Sequence, residues 1–414
     1  MFANIKSQIH KLAENVNKTE ISRLEAMMEE MKSAEDLDEL IVKHSVSQRE
    51  AARICGMSEA SFRIKAQQAR DDGVIDDVKI HANRYLYTLE HIRRLMEWME
   101  KPSWRDKFAE CVVMAIYSNK GGTGKSTTAT SIAAGFALDT TERPNVLVID
   151  LDPQGSQRIF SSTPDDTRMN SLSAVDIMLG ASGEEDDGAY AEYIEAGYSH
   201  EEILQESIYG THIAGFDVIP AFPDDERFTA KFWINFAKGG KLDFVEYLNK
   251  HVVGPLKKYY DIIIIDTAPN ISPLTWTAVE SANAMITPVT PRMMDWSSTC
   301  QFLNTLSGQF DDLPSKGENL KFYRLVVVNY DDEKNRDRDL LNRIKDSAGP
   351  SLANNIIKRS HAFESAARKY CTIYDLKSKD APARQLEKAR DSVDSLVREL
   401  RLEFADIDWG GSNE

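Results

Sequence analysis

The apolar run CVVMAIYS leads into the segment SNKGGTGKSTT, residues 118–128, where the residue types best suited to chemistry stand together. Glycines at 121, 122 and 124 let the backbone wrap closely, so loop N–H groups and the following helix N-terminus can surround the phosphates of a nucleotide. Lys125 can reach the β and γ phosphates, and the Ser126 hydroxyl can hold a magnesium ion. The common pattern G-x-x-x-x-G-K-[ST] needs glycine at position 119; this chain has Asn119 there, and an additional lysine, Lys120, opens the loop. Two more apolar runs end in carboxylates. VLVIDLDPQGS carries Asp150 and Asp152 on one strand face, and IIIIDTAPN carries Asp266. Acids beside such a loop are what phosphoryl transfer requires. The four cysteines (Cys55, Cys111, Cys300, Cys371) lie far apart, without CxxC or Cys/His spacing, and suggest neither a disulfide framework nor a zinc site.

The elements that must position these groups are legible after about residue 108. The runs CVVMAIYS, NVLVIDLD, FDVIPA, YDIIIIDT, AMITPVT and YRLVVVNY are rich in Val and Ile and alternate with helical stretches. Such a pattern predicts strands buried on both faces, a mostly parallel sheet and an α/β domain over 106–414. Residues 180–226 contain no Lys or Arg and many acids, which predicts an exposed, partly mobile insertion. Residues 1–44 are polar with Ile5, Ile9, Leu12, Val16, Leu24, Met27, Met28 and Met31 at helical spacing, an all-helical arm suited either to packing on its own domain or to a dimer contact.

Between them, residues 45–105 have a third rhythm. Ser47 can cap a helix carrying Ala51, Ala52 and Ile54, Gly56 can supply a left-handed turn, and Ser58 can cap a second helix bearing Phe62 and Ile64. VKIHANRYLYTLEHI then reads as a hairpin turning at His81-Ala82-Asn83, followed by a helix capped by Thr88. The segment predicts a winged helix-turn-helix, with Ser61, Arg63 and Lys65 projecting from the second helix and Arg49, Arg53 and Arg84 within reach of a DNA backbone. A helical hairpin with ordinary solvated charges fits the same residues.

The whole chain has 414 residues, a prior of two to three domains, and a net charge of -16 that would by itself argue against nucleic acid. Neither a signal peptide nor an apolar run long enough to cross a bilayer is apparent. A cytoplasmic protein is expected.

KGGTGKST is the deviant Walker A motif, and on it the chain resembles the ParA and MinD family of ATPases, over about residues 110–400. The resemblance implies ATP and magnesium as ligands, with Gly121, Gly122, Thr123, Gly124, Lys125, Ser126 and Thr127 on the phosphates and Lys120 reaching across a homodimer to the partner's nucleotide. It further implies that Asp152 orients the attacking water, that Ser126, Asp150 and Asp266 serve the magnesium shell, and that Asn329 touches the adenine. TPVTPRMMDWSSTCQFLNTL, with Pro288, Pro291 and Asp295, looks like the segment lining the nucleotide and dimer face.

The N-terminal region resembles that of the large, type Ia ParA proteins, which implies operator binding and repression of a partition operon. The acidic tail ADIDWGGSNE disfavours the membrane docking of MinD. Nucleoid association through nonspecific DNA, a ParB-like centromere-binding partner, and higher-order filaments on DNA also belong to what the resemblance implies. For the nonspecific contacts, Lys358, Arg359, Arg368 and Lys369 rank above Lys334, Arg336, Arg338, Arg343 and Lys345, whose neighbours Asp331, Asp332, Glu333, Asp337 and Asp339 neutralise them. An ATP-liganded transcription regulator without segregation activity, a MinD-like positioning ATPase, and an ATPase serving metal centres are the alternatives.

Overall fold

Val and Ile fit a pleated surface covered on both sides, and the six predicted runs become strands whose interior positions are almost all buried. A computed structural model describes residues 41–409, apart from 82–83, 109, 156, 158–170, 241 and 370, together with positions 11 and 18. The expected arm over 1–44 therefore lies almost wholly outside the described residues, as does the hairpin turn at Ala82-Asn83.

The main sheet has seven strands in the order β10-β9-β4-β8-β5-β7-β6. They are β4 (Val112–Ile116), β5 (Val146–Leu151), β6 (Tyr209–Gly210), β7 (Phe216–Ile219), β8 (Ile262–Thr267), β9 (Ala284–Val289) and β10 (Phe322–Val327). All neighbours are parallel except the edge pair β6–β7. One face carries a core built on α4 (Lys125–Ala137) and α13 (Ala383–Ala405); the other packs on α5 (Ala174–Ala181) and α9 (Pro273–Ser281).

The acidic stretch differs from its expectation. Residues 180–226 are no exposed excursion: α6 (Ala189–Glu195), α7 (His200–Glu206) and strands β6 and β7 bury Tyr190, Tyr193, Ile203, Leu204 and Phe216. Glu192, Glu195, Glu201 and Glu202 occupy exposed helix faces, Asp225 is buried and accepts the Ser173 hydroxyl, and apolar residues at helical and strand spacing anchor the stretch to the sheet.

The N-terminal module is α1 (Gln48–Ile54), α2 (Glu59–Asp71), α3 (Leu89–Trp98) and a three-stranded sheet of β1 (Val46–Ser47), β3 (Arg84–Tyr87) and β2 (Lys79–His81). Ser47, Ser58 and Thr88 cap the three helices as expected, and Gly56 holds φ at +68° in the turn joining α1 to α2. Its core is Ala51, Ala52, Phe62, Ala66, Ala69, Tyr87, Ile92 and Leu95. Ile64 is not part of it. The buried face of α2 runs through Phe62, Ala66 and Ala69, the i, i+4, i+7 series, and leaves Ile64 67% exposed beside Arg63 and Lys65.

This module is fixed to the sheet through the segment before β5. Arg93 Nη2 donates to the carbonyls of Arg143 and Pro144 and to Asn145 Oδ1, at 2.8, 3.1 and 2.6 Å. Arg143 in turn donates to the Lys101 carbonyl, and the Trp104 N–H to the Glu142 carbonyl. Burial lowers the Arg93 pKa to about 10, so the guanidinium stays charged and its hydrogen bonds are charge-assisted. Replacing it strands three acceptors. Arg93→Met is expected to lower stability by about 2 kcal/mol, measured by urea denaturation of the full chain; an unchanged midpoint would show that the junction contributes nothing.

Candidate functional site

The chain leaves the C-terminal end of β4, an interior strand paired with β8 and β9, directly into the phosphate loop. Gly122 and Gly124 hold φ at +72° and +78°, backbone that L side chains rarely adopt. Gly124 is the N-cap of α4 and places no side chain over the first N–H groups of that helix, which remain available to an anion. A Cβ at Gly124 would lie 3.9 Å from Val328, which brings the end of β10 and the exposed Asn329, itself at φ +55°, beside the loop. Lys125 is buried, and its Nζ donates to the Lys120 carbonyl at 3.3 Å. Burial lowers its pKa, against the pull of Asp266 and Asp152.

Parallel register delivers the carboxylates. Asp266 pairs with Ile116 across β4–β8 and with Asp150 across β5–β8. Asp150 accepts the Asp152 N–H at 2.9 Å on one oxygen and the Gln157 N–H at 3.0 Å on the other. Both its oxygens are thus engaged in closing the loop 150–157. Asp266 accepts from Gln157 Nε2 at 2.8 Å on Oδ2, whereas its Oδ1 is buried with no hydrogen-bond partner. Such an orphaned oxygen fits the shell of a cation, and with the Ser126 hydroxyl and hard oxygen donors the set suits magnesium. Burial, reinforced by their mutual repulsion, raises the pKa of Asp150, and burial likewise raises that of Asp266. Asp152, also buried, accepts the Gln154 N–H at 3.1 Å.

Gln157 is the residue that the sequence reading missed. Fully buried, it accepts the Thr130 hydroxyl at 2.7 Å and donates to the Ser126 carbonyl at 3.3 Å as well as to Asp266. It ties the carboxylates to the first turns of the helix that follows the loop. Its only signal is position, a few residues beyond Asp150; no motif marks it.

Lys120 sits at the mouth of the loop, with its ammonium on Asp295 near the start of α10 (Met293–Asp312). Asp295 also accepts the Thr290 hydroxyl. Beside it Met293 and Met294 are 59% and 80% exposed, an apolar surface next to a lysine that its own loop does not retain.

A family described as an AAA domain matches residues 111–315, from β4 to just beyond α10. The chain is 26% identical to plasmid partition protein A of Escherichia coli over 310 residues, 72% of each chain. It is 23% identical to protein SopA of Escherichia coli K12 over 332 residues, 79% of each. Over most of its length the chain is thus similar to partition proteins. A solved structure described as a partition protein has the same fold, with a TM-score of 0.65 at 18% identity, covering 95% of this chain and 98% of that one. The likeness to that structure spans the N-terminal module of this chain as well as its sheet.

The proposed DNA-contacting residues are scattered. Ser61, Arg63 and Lys65 lie exposed on α2, with the Ser61 hydroxyl bonded to that of Ser58 at 2.8 Å and Lys65 Nζ 5.2 Å from the Trp98 ring. Arg84 lies on β3. The second group differs from expectation in its neighbours. Asp331 pairs with Arg359 as well as Lys334, at 3.7 and 2.8 Å, and Asp332 lies 3.8 Å from Lys358. The acids assigned to the first basic cluster therefore also neutralise part of the second, because the chain returns beside β10 at Tyr330–Lys358. Lys369 pairs with Asp380 at 2.5 Å, and Arg368 is exposed on α12 (His361–Arg368).

Two outcomes follow for the carboxylate pair. A bound divalent ion favours the ionised form of groups whose pKa is raised, so protons compete below that pKa, and magnesium-nucleotide affinity is expected to rise with pH above the usual carboxylate range near ~4 and then level off. Gln157→Ala is expected to cost about 1–3 kcal/mol and to weaken that affinity, checked by calorimetry at several pH values; affinity insensitive to both would remove Gln157 and the pair from the site.

Proposed function

We propose that this chain is an ATP-hydrolysing DNA-segregation ATPase that dimerises around ATP, holds nonspecific DNA as a dimer, and represses its own operon through the N-terminal module. The observation that carries the reading is Lys120. It stands at the mouth of the phosphate loop, tethered to Asp295 and flanked by exposed methionines, where a second copy could exchange the aspartate for its own nucleotide.

The loop N–H groups and Lys125 hold the triphosphate. Ser126 and Asp266 would hold magnesium, which supplies charge neutralisation at the β and γ phosphates. Asp152 orients the water that attacks the γ-phosphorus, and the ammonium of the partner's copy of the signature lysine stabilises charge developing on the transferred group, as an arginine finger does. Asn329, beside the loop, contacts the base in this reading. Hydrolysis gives ADP and phosphate and dissolves the clasp. Nonspecific DNA is held by Lys358, Arg359, Arg368 and Lys369, with phosphates displacing Asp331, Asp332 and Asp380 from their ion pairs; such contacts weaken steeply with salt. A ParB-like partner accelerates turnover. In the N-terminal module α2 enters the major groove as the recognition helix of a winged helix-turn-helix, Arg63 reading base edges. The partition relatives support this branch of the family.

Lys120→Gln is expected to keep nucleotide binding but to lose ATP-dependent dimers and most turnover, read by sedimentation with ATP or ADP and by phosphate release. Turnover at the native rate would sink the cross-subunit role. Arg63→Ala is expected to weaken operator binding by about 1–3 kcal/mol while leaving nonspecific binding intact in gel-shift assays; equal loss of both would merge the two DNA surfaces into one.

A further inference from the structure

Far from the phosphate loop, two half-buried histidines and a buried aspartate from distant parts of the chain converge. His44 directly precedes the N-terminal module, His212 lies in the turn between β6 and β7, and Asp375 lies between α12 and α13. His44 Nε2 and His212 Nε2 both meet the same carboxylate oxygen, Asp375 Oδ1, at 2.7 and 2.8 Å, and the three ligand atoms lie within 4.8 Å of one another. The imidazoles are nearly parallel, 26° apart with centroids at 6.1 Å.

The surroundings hold these atoms in place. Asp375 Oδ2 is filled by the Thr372 N–H and hydroxyl at 2.6 and 2.7 Å, which leaves Oδ1 to face the imidazoles. Arg390 donates to the carbonyls of Ile373, Tyr374 and Leu376 on either side of Asp375. The His212 turn is closed by the Thr211 hydroxyl on the Phe216 carbonyl at 2.7 Å. Asp375 has no exposed side-chain surface, and among the described residues its ion-pair partners are these two histidines. An ionised carboxylate so buried needs a compensating positive charge, which a divalent cation between the three atoms supplies.

We propose that His44 Nε2, His212 Nε2 and Asp375 Oδ1 form a site for a divalent transition-metal ion of the zinc class, with water completing a tetrahedron. Imidazole nitrogen with a single carboxylate selects zinc-like ions over magnesium or calcium. In the metal-free chain each Nε2 donates its proton to Asp375 Oδ1; on binding, that proton leaves Nε2, passing through solvent to Nδ1 of a neutral imidazole or to bulk water from a charged one, and the freed Nε2 lone pair turns to the ion. The ligand atoms must part by several tenths of an ångström to reach metal–nitrogen distances of about 2.0–2.1 Å. The ion would pin the segment leading into the N-terminal module to the sheet edge and to the C-terminal loop.

The test uses the full chain, stripped with chelator and free of nucleotide, titrated with Zn2+ against a chelating dye and with Co2+ by visible absorption. His44→Gln and His212→Gln serve as variants, since a glutamine amide can still donate to Asp375 and preserve the hydrogen-bonded arrangement. One tight equivalent of Zn2+, a tetrahedral Co2+ spectrum and a zinc-dependent rise in Tm, each weakened at least about tenfold in both variants, are the expected results. Zn2+ bound equally by native and variant chains, or no binding and no change in Tm, would overturn the proposal and leave a hydrogen-bonded His–Asp–His triad.

Discussion

Asp150 and Asp266 stand side by side in the interior at the ends of adjacent strands, and this costly placement organises the centre of the molecule. Two carboxylates cannot share a dry site unless their charge is met. Asp150 is met by two backbone N–H groups, which bend the chain after β5 into the loop that carries Asp152 and Gln157. Asp266 is met only in part, and Lys125, a cation buried nearby, has its own charge disfavoured by burial. The apparatus holds an unfilled demand for positive charge on one side and for negative charge on the other. A metal-bound triphosphate satisfies both, which makes the ligand part of the electrostatic core.

Most of the machinery is written locally and was therefore legible. The phosphate loop, six strands of the main sheet and the caps at Ser47, Ser58 and Thr88 each depend on a few consecutive residues. What escaped depends on chain segments meeting. Gln157 gains its role because the loop after Asp150 folds back beneath the strand ends. The ion pairs of Lys358 and Arg359 with Asp332 and Asp331 arise where two separated segments run side by side. In residues 180–226 the many acids in the composition hid the buried Tyr190, Tyr193, Ile203 and Leu204 between them. Ile64 misled in the opposite sense, an apolar residue left in solvent by helical geometry.

The N-terminal module and the sheet are joined by buried polar contacts as well as by apolar packing. Glu142, almost fully buried, receives Lys107 and Arg401, and its backbone carbonyl receives Trp104. Arg143 sits at φ +52°, an unusual backbone state held by its bonds to Thr141 and Lys101. These contacts converge on one short stretch just before β5.

β5 begins just after Asn145, which Arg93 grips, and carries Asp150 one residue before its end at Leu151. At about 3.3 Å per residue, it is a strut roughly 20 Å long, stiffened by a neighbour on each side. Held on both sides, it ties the floor beneath the phosphate loop rigidly to the contacts of the N-terminal module.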